Sequence, residues 1–150
     1  MANTFTCLHY HVVFSTKDRE PWLGSDIQEQ VWAYLGGIAR ANQLKPLFIG
    51  GVEDHVHLLL GIPPTMALCE ALKRIKGGSS GWIKENFSGC RGFGWQDGYG
   101  AFTVSKSQED EVREYIGTQR DHHRKRSFQE EYRALLDRHG IQYDERYLWG

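Results

Sequence analysis

The sequence predicts an α+β domain built on a mostly antiparallel sheet. Three observations carry that reading. Apolar residues alternate along the chain between a strand-like period of two and a helix-like period near 3.6. Two strand-like stretches in the middle are separated by only a short turn, which antiparallel neighbours allow and parallel neighbours do not. The 150 residues, 40% hydrophobic and 13% aromatic, suit one globular domain spanning 1–150. A βαββαβ order with a hairpin at its centre fits a ferredoxin-like sheet with helices on one face better than a parallel doubly wound sheet.

Residues 8–15, LHYHVVFS, alternate and are rich in Val, Phe and Tyr, which makes a first strand. Ser25 and Asp26 offer an N-terminal cap for a helix running towards Asn42. Residues 44–50, LKPLFIG, form a second strand, with Pro46 implying an edge or an early position because proline cannot donate to a ladder. Residues 51–54 turn the chain into the apolar run from Val56 to Ile62, which Pro63 and Pro64 terminate. Thr65 then caps a second helix whose apolar positions Met66, Leu68, Ala71, Leu72 and Ile75 recur at helical spacing. Gly77, Gly78 and Gly81 are expected to weaken or break it, each costing about 1 kcal/mol relative to alanine, with residues 82–87 resuming it. A glycine-rich loop at 89–100 leads into a strand at 101–105. A final helix begins near Ser107, where Asp110 completes a capping-box-like start, and is expected to reach His123.

Bulk composition excludes several classes. A formal net charge of −1 gives no general affinity for polyanions, so any nucleic-acid surface must be local. Cys7, Cys69 and Cys90 are odd in number and widely spaced, which argues against a disulfide framework or zinc knuckle and for a reducing cytoplasm. No apolar run approaches the roughly 20 residues of a bilayer span, and the first residues lack the pattern of an export signal. The expectation is a soluble cytoplasmic protein with no membrane partner.

Chemistry enters at GGVEDHVHLLLG, residues 50–61. Alternation on the strand puts His55, His57 and Leu59 on one face and Val56, Leu58 and Leu60 on the other, core-like face. Two imidazoles side by side are spaced to grip one divalent cation, and Glu53 and Asp54 add negative charge. A metal centre needs a further ligand. On the final helix Tyr115 and Gln119 lie four residues apart and so share a face. Tyr115 with Val112 and Ile116 also fits a buried stripe, with Gln119 a solvated neighbour; these residues alone leave both readings open.

The ordered set is more specific than its parts. H-x-H on a central strand, Y-x-x-x-Q on a late helix, and the stretches HVVFSTKDREPWL, VEDHVHLLLGIPP, WQDGYGAFTVSKS, YIGTQRDHHRKRSFQEEY and GIQYDERYLW together resemble the HUH single-tyrosine transposases, the TnpA-like enzymes of insertion sequences that move as single-stranded DNA. The likeness spans nearly the whole chain.

The resemblance implies Tyr115 as nucleophile on the C-terminal helix and His55, His57 and Gln119 as ligands of Mg²⁺ or Mn²⁺. It further implies cleavage and rejoining of single-stranded DNA through a 5′-phosphotyrosine, recognition of subterminal hairpins, and a homodimer in which one subunit's tyrosine helix can complete the other's site. Basic residues Lys73, Arg74 and Lys76 on the second helix, and Arg120, His123, Arg124, Lys125 and Arg126 after the tyrosine, supply the local basic face for DNA. Gly77 and Gly78 depart from the family's basic or polar continuation at that point. Two other classes compete. A domesticated relative would bind hairpins without cutting them, which the intact Tyr115 opposes. A histidine-triad hydrolase needs a third alternating histidine where this chain has Leu59.

Overall fold

The computed structural model describes residues 3–119 and 126–150. Its elements run β1 (His9–Ser15), α1 (Gln28–Ala41), β2 (Lys45–Val52), β3 (His55–Gly61), α2 (Leu68–Asn86), β4 (Gly100–Val104), α3 (Glu109–Gly117) and α4 (Phe128–Arg138), with single 3₁₀ turns between some of them. The strands form one sheet in the order β2-β3-β1-β4, and every neighbouring pair is antiparallel. This is the ferredoxin-like arrangement expected. Pro46 lies on the edge strand β2, beside a register shift between Pro46 and Phe48, where its missing N–H does not interrupt the sheet interior.

Each central strand contributes to two cores. Val12, Phe14, Val56, Leu58 and Leu60 pack with Leu35, Ala71, Leu72 and Ile75 from α1 and α2. The other face is covered as well. Leu59 packs with Val104 and Ile116 under α3, and Val13 and Phe102 pack with Phe128, Tyr132, Leu135 and Leu136 from α4. Helices therefore lie on both faces, where a layer on one face and a tyrosine helix were expected. This explains why every residue of β3 is buried, polar ones included.

Local expectations shift in three places. The helices begin later than their cap-like residues suggest, at Gln28, Leu68 and Glu109. The glycines of α2 do not break it; the helix is continuous for 19 residues. A Cβ on Gly78 would lie 3.2 Å from the side chain of Ile38, so the missing side chain lets α1 and α2 approach closely. Ser79 on the same stretch donates to the Ile75 carbonyl at 2.7 Å and accepts from the Trp95 indole at 2.9 Å. Tertiary contacts thus outweigh the low helix propensity of this segment. The tyrosine helix is short, ending at Gly117, and the chain leaves it before a separate helix α4.

Gly50 controls how α3 sits on the sheet, because a Cβ there would meet Ile116 Cγ2 at 3.0 Å and the Ile116 backbone oxygen at 3.1 Å. Gly50→Ala should lift α3 and cost about 1–3 kcal/mol, as overpacking does. Urea unfolding of the variant against wild type measures this.

Candidate active site

The face of β3 that carries His55 and His57 lies beneath α3 and α4, and the four side chains that meet there are 0–1% exposed: His55, His57, Gln119 and Glu131. Their donor atoms converge. His57 Nε2 is 3.0 Å from Glu131 Oε1, and His55 Nε2 is 3.4 Å from the same oxygen and 3.3 Å from Gln119 Oε1. Gln119, just past the end of α3, is held by donating its side-chain amide to the Tyr115 carbonyl at 3.1 Å. It is no solvated neighbour. Tyr115 is half-buried against the cluster of Leu59, Val104 and Ile116, so it is also part of a buried stripe. Its hydroxyl donates a very short hydrogen bond to Glu131 Oε2. One carboxylate therefore touches the phenol with one oxygen and both imidazoles with the other.

Two further groups orient the imidazoles from behind. Asp54 Oδ1 accepts from His55 Nδ1–H at 2.7 Å, which leaves Nε2 facing the cluster. His11 on β1 places its Nε2 2.7 Å from His57 Nδ1. Burial chiefly, then the neighbouring His57, lowers the His11 pKa to about 3, so this imidazole is neutral. His55 differs. Burial opposes its protonation most strongly, yet the hydrogen bonds and negative charges of Asp54 and Glu131 together outweigh it and raise the pKa to about 9. The Tyr115 phenol is pushed upward by burial and then by the Glu131 charge, so it stays protonated at neutral pH.

His55, His57 and Glu131 form a group able to hold a metal ion, their ligand atoms all within 4.8 Å of one another. The donor set fits a divalent cation. It combines two imidazoles with a carboxylate, adds an amide oxygen within reach, and at neutral pH holds one proton on His55 where a cation would relieve the same concentration of negative charge. Glu131 escaped the sequence reading. The available signal was a carboxylate at the centre of an apolar stripe, since Phe128, Tyr132 and Leu135 share its side of α4.

Of the eight basic residues expected to face DNA, four are described. Lys73, Arg74 and Lys76 lie on α2, across the sheet from Tyr115. Arg74 pairs with Glu70 at 3.0 Å, and Lys76 donates to the carbonyls of Asp97 and Gly98, its pKa lowered to about 8 chiefly by burial. Arg126 is on the site's side of the chain and acts electrostatically on Tyr115. Arg120, His123, Arg124 and Lys125 lie outside the described residues. A cavity of about 400 Å³ opens beside Tyr115, bounded by His11, Phe102, Val112, Arg138 and His139. Among the described residues, no helix is long and apolar enough to cross a membrane.

An α+β sheet with an imidazole pair and a tyrosine on one buried face matches a known class of DNA-moving enzymes. The family model described as Transposase IS200 like matches residues 4–119, and the chain belongs to that family. It is 31% identical over 121 residues to the ISDra2 transposase TnpA of Deinococcus radiodurans, covering 76% of this chain and 85% of that protein. It is 30% identical over 122 residues to the transposase for insertion sequence element IS200 of Salmonella typhimurium, covering 77% and 79% respectively. A crystal structure of a candidate transposase from Deinococcus radiodurans superposes with a TM-score of 0.66 at 27% identity, over 79% of this chain and 95% of that one. A REP-associated tyrosine transposase bound to a REP hairpin shares the fold, with a TM-score of 0.60 at 11% identity over 82% and 73%. Glu131 lies beyond the residues that the family model matches.

The raised His55 pKa has a consequence for stability. Because the folded value near 9 exceeds the ordinary 6.5, the imidazolium contributes stability that is fully present below pH 6.5 and lost as pH rises through 9. Glu131→Gln removes one of the two charges that hold this proton. In metal-free buffer, urea midpoints of wild type should fall between pH 6.5 and 9, and those of Glu131→Gln should fall less. Equal slopes in the two proteins would contradict the assignment.

Proposed function

We propose that this transposase cleaves and rejoins single-stranded DNA through a covalent 5′-phosphotyrosine at Tyr115, with one divalent ion held by His55, His57, Glu131 and Gln119. The observation that carries this reading is the convergence of the Tyr115 hydroxyl and both imidazoles on the same buried carboxylate. A phenol placed one hydrogen bond from a cation-binding cluster is placed to attack a phosphodiester whose charge that cluster accommodates. The ion, Mg²⁺ or Mn²⁺, supplies Lewis acidity towards the scissile phosphate and its leaving oxygen.

The chain's own residues account for the remaining requirements. Tyr115 Oη forms a bond to phosphorus as the bond from phosphorus to the 3′ oxygen breaks, leaving a 5′-phosphotyrosine and a free 3′-hydroxyl. The phenol proton leaves Oη along its existing hydrogen bond towards Glu131 Oε2. Rejoining reverses the step: a 3′-hydroxyl attacks the phosphotyrosine and the phenol recovers its proton, so no nucleotide cofactor is consumed. Gln119, tied to the Tyr115 carbonyl, couples the position of the nucleophile to that of the cluster.

Among the described residues the ligand atoms lie sealed beneath α3 and α4 while a cavity is open beside Tyr115, and displacement of one of these helices would admit DNA to the cluster. Exchange of the tyrosine helix between two subunits of a homodimer is one such displacement. Binding to subterminal hairpins rests on the basic residues after Tyr115 together with Lys73, and on the REP hairpin held by the structural neighbour. A reducing cytoplasmic setting suits the three free cysteines, Cys7, Cys69 and Cys90. A hairpin-binding relative without cleavage is disfavoured by the intact Tyr115 and its contact with Glu131.

Tyr115→Phe should keep the fold and hairpin affinity, because the ring still packs, at a cost of about 1–3 kcal/mol for the donor that Glu131 loses, yet form no covalent adduct on denaturing gels. Adduct formation by this variant, or a phosphonucleotide mapped by mass spectrometry to another peptide, would place the nucleophile elsewhere. His57→Ala should lose metal-dependent cleavage altogether, and cleavage at the wild-type rate in metal-depleted buffer would refute the metal assignment. Affinity for a single-stranded hairpin should exceed that for blunt duplex and fall with salt as counterions are released. A salt titration that gives a flat line would contradict this.

A further inference from the structure

We infer that His11 is a positioning residue of the metal centre, an imidazole on β1 that fixes which ring nitrogen His57 presents to the ion; the inference rests on the metal reading above. Sheet geometry places it there. His11 pairs with Leu59 and Val13 pairs with His57, so His11 and His57 are diagonal neighbours on one face of adjacent antiparallel strands. Their rings stack with centroids 5.0 Å apart and an interplanar angle of 27°, and the Nε2 to Nδ1 separation is 2.7 Å. A ring this buried and this close to a ligand's second nitrogen sets that ligand's tautomer.

The proton arrangement follows from the contacts. With Glu131 accepting from His57 Nε2–H, a neutral His57 has only a lone pair on Nδ1 and accepts from His11 Nε2–H. Binding an ion through His57 Nε2 requires the reverse: the His57 proton sits on Nδ1 and His11 Nε2 must accept it. A neutral imidazole can do both by exchanging tautomers, whereas lysine and arginine can only donate and a carboxylate can only accept. His11 thus serves the ion-free and the ion-bound cluster alike. It also abuts the Tyr115 ring edge-on at 6.0 Å, so the same residue supports the ring of the nucleophile.

A role in packing alone would be met by any ring of similar size, since His11 also lies edge-on to Phe102 at 6.2 Å. His11→Phe keeps the ring and removes both nitrogens; His11→Gln restores an oxygen and a nitrogen near the Nε2 position. Mn²⁺ binding to the full-length protein, measured by calorimetry without DNA, should weaken about 10–100-fold in His11→Phe and recover in His11→Gln. Equal Mn²⁺ affinity of wild type and His11→Phe would overturn the inference while leaving the metal reading intact. No Mn²⁺ binding by wild type, or equal binding by wild type and His57→Ala, would overturn both. Long-range proton–nitrogen correlation spectra of wild-type protein, recorded with Zn²⁺ as a diamagnetic probe, report the tautomers directly and do not depend on a variant folding. They should show His57 protonated at Nδ1 and His11 unprotonated at Nε2 in the loaded protein, with His11 Nε2 protonated in the metal-free protein. A His11 tautomer unchanged by loading would overturn the inference.

Discussion

The structure depends on a carboxylate buried beneath the sheet. Glu131 is fully enclosed and meets Tyr115, His55 and His57 with its two oxygens. Burying a charge is costly unless it is paired and hydrogen-bonded, and here the pairing is the site itself. The imidazolium of His55 balances it, the phenol of Tyr115 donates to it, and α4 is held against β1 and β4 by the ring of apolar side chains on either side of it. The contacts that compensate the buried charge are therefore the ones that hold Tyr115 against the imidazole cluster.

That coupling explains why the sheet is covered twice. One face is an apolar layer of the ordinary kind, filled by α1 and α2. The second face cannot be filled by hydrocarbon alone because β1 and β3 present His11, His55 and His57 to it. It is closed instead by two short helices, each of which brings polar groups to the imidazoles: Tyr115 on α3, followed by Gln119, and Glu131 on α4. Both are short, nine and eleven residues long. The 19-residue α2, by contrast, is held to α1 by close approach at Gly78.

Charge is arranged on the same plan. The net charge of the chain is −1, and the basic side chains of α2 are partly occupied in structural pairing: Arg74 with Glu70, Lys76 with backbone carbonyls. Arg126, which follows Tyr115 in the chain, acts electrostatically on that phenol.

Legible in the sequence were the strands, the central hairpin, the antiparallel ferredoxin-like sheet and the shared face of His55 and His57, because a strand's two faces are set by a period of two that any short stretch displays. Tyr115 and Gln119, four residues apart in the sequence, are linked in the structure through the Tyr115 carbonyl. Only the tertiary structure decided that Gly77 to Gly81 stay helical, since the compensation comes from Ile38 and Trp95 on other elements. It alone supplied Glu131 and His11, which lie 74 and 46 residues from His57 in the chain. Neither has a local pattern that names its partner: the carboxylate within the apolar stripe of α4 stands out without showing what it meets, and a histidine in an alternating strand satisfies ordinary rules. Their roles arise where antiparallel pairing and the docking of α4 bring them against the same imidazole, and that juxtaposition is a property of the folded chain.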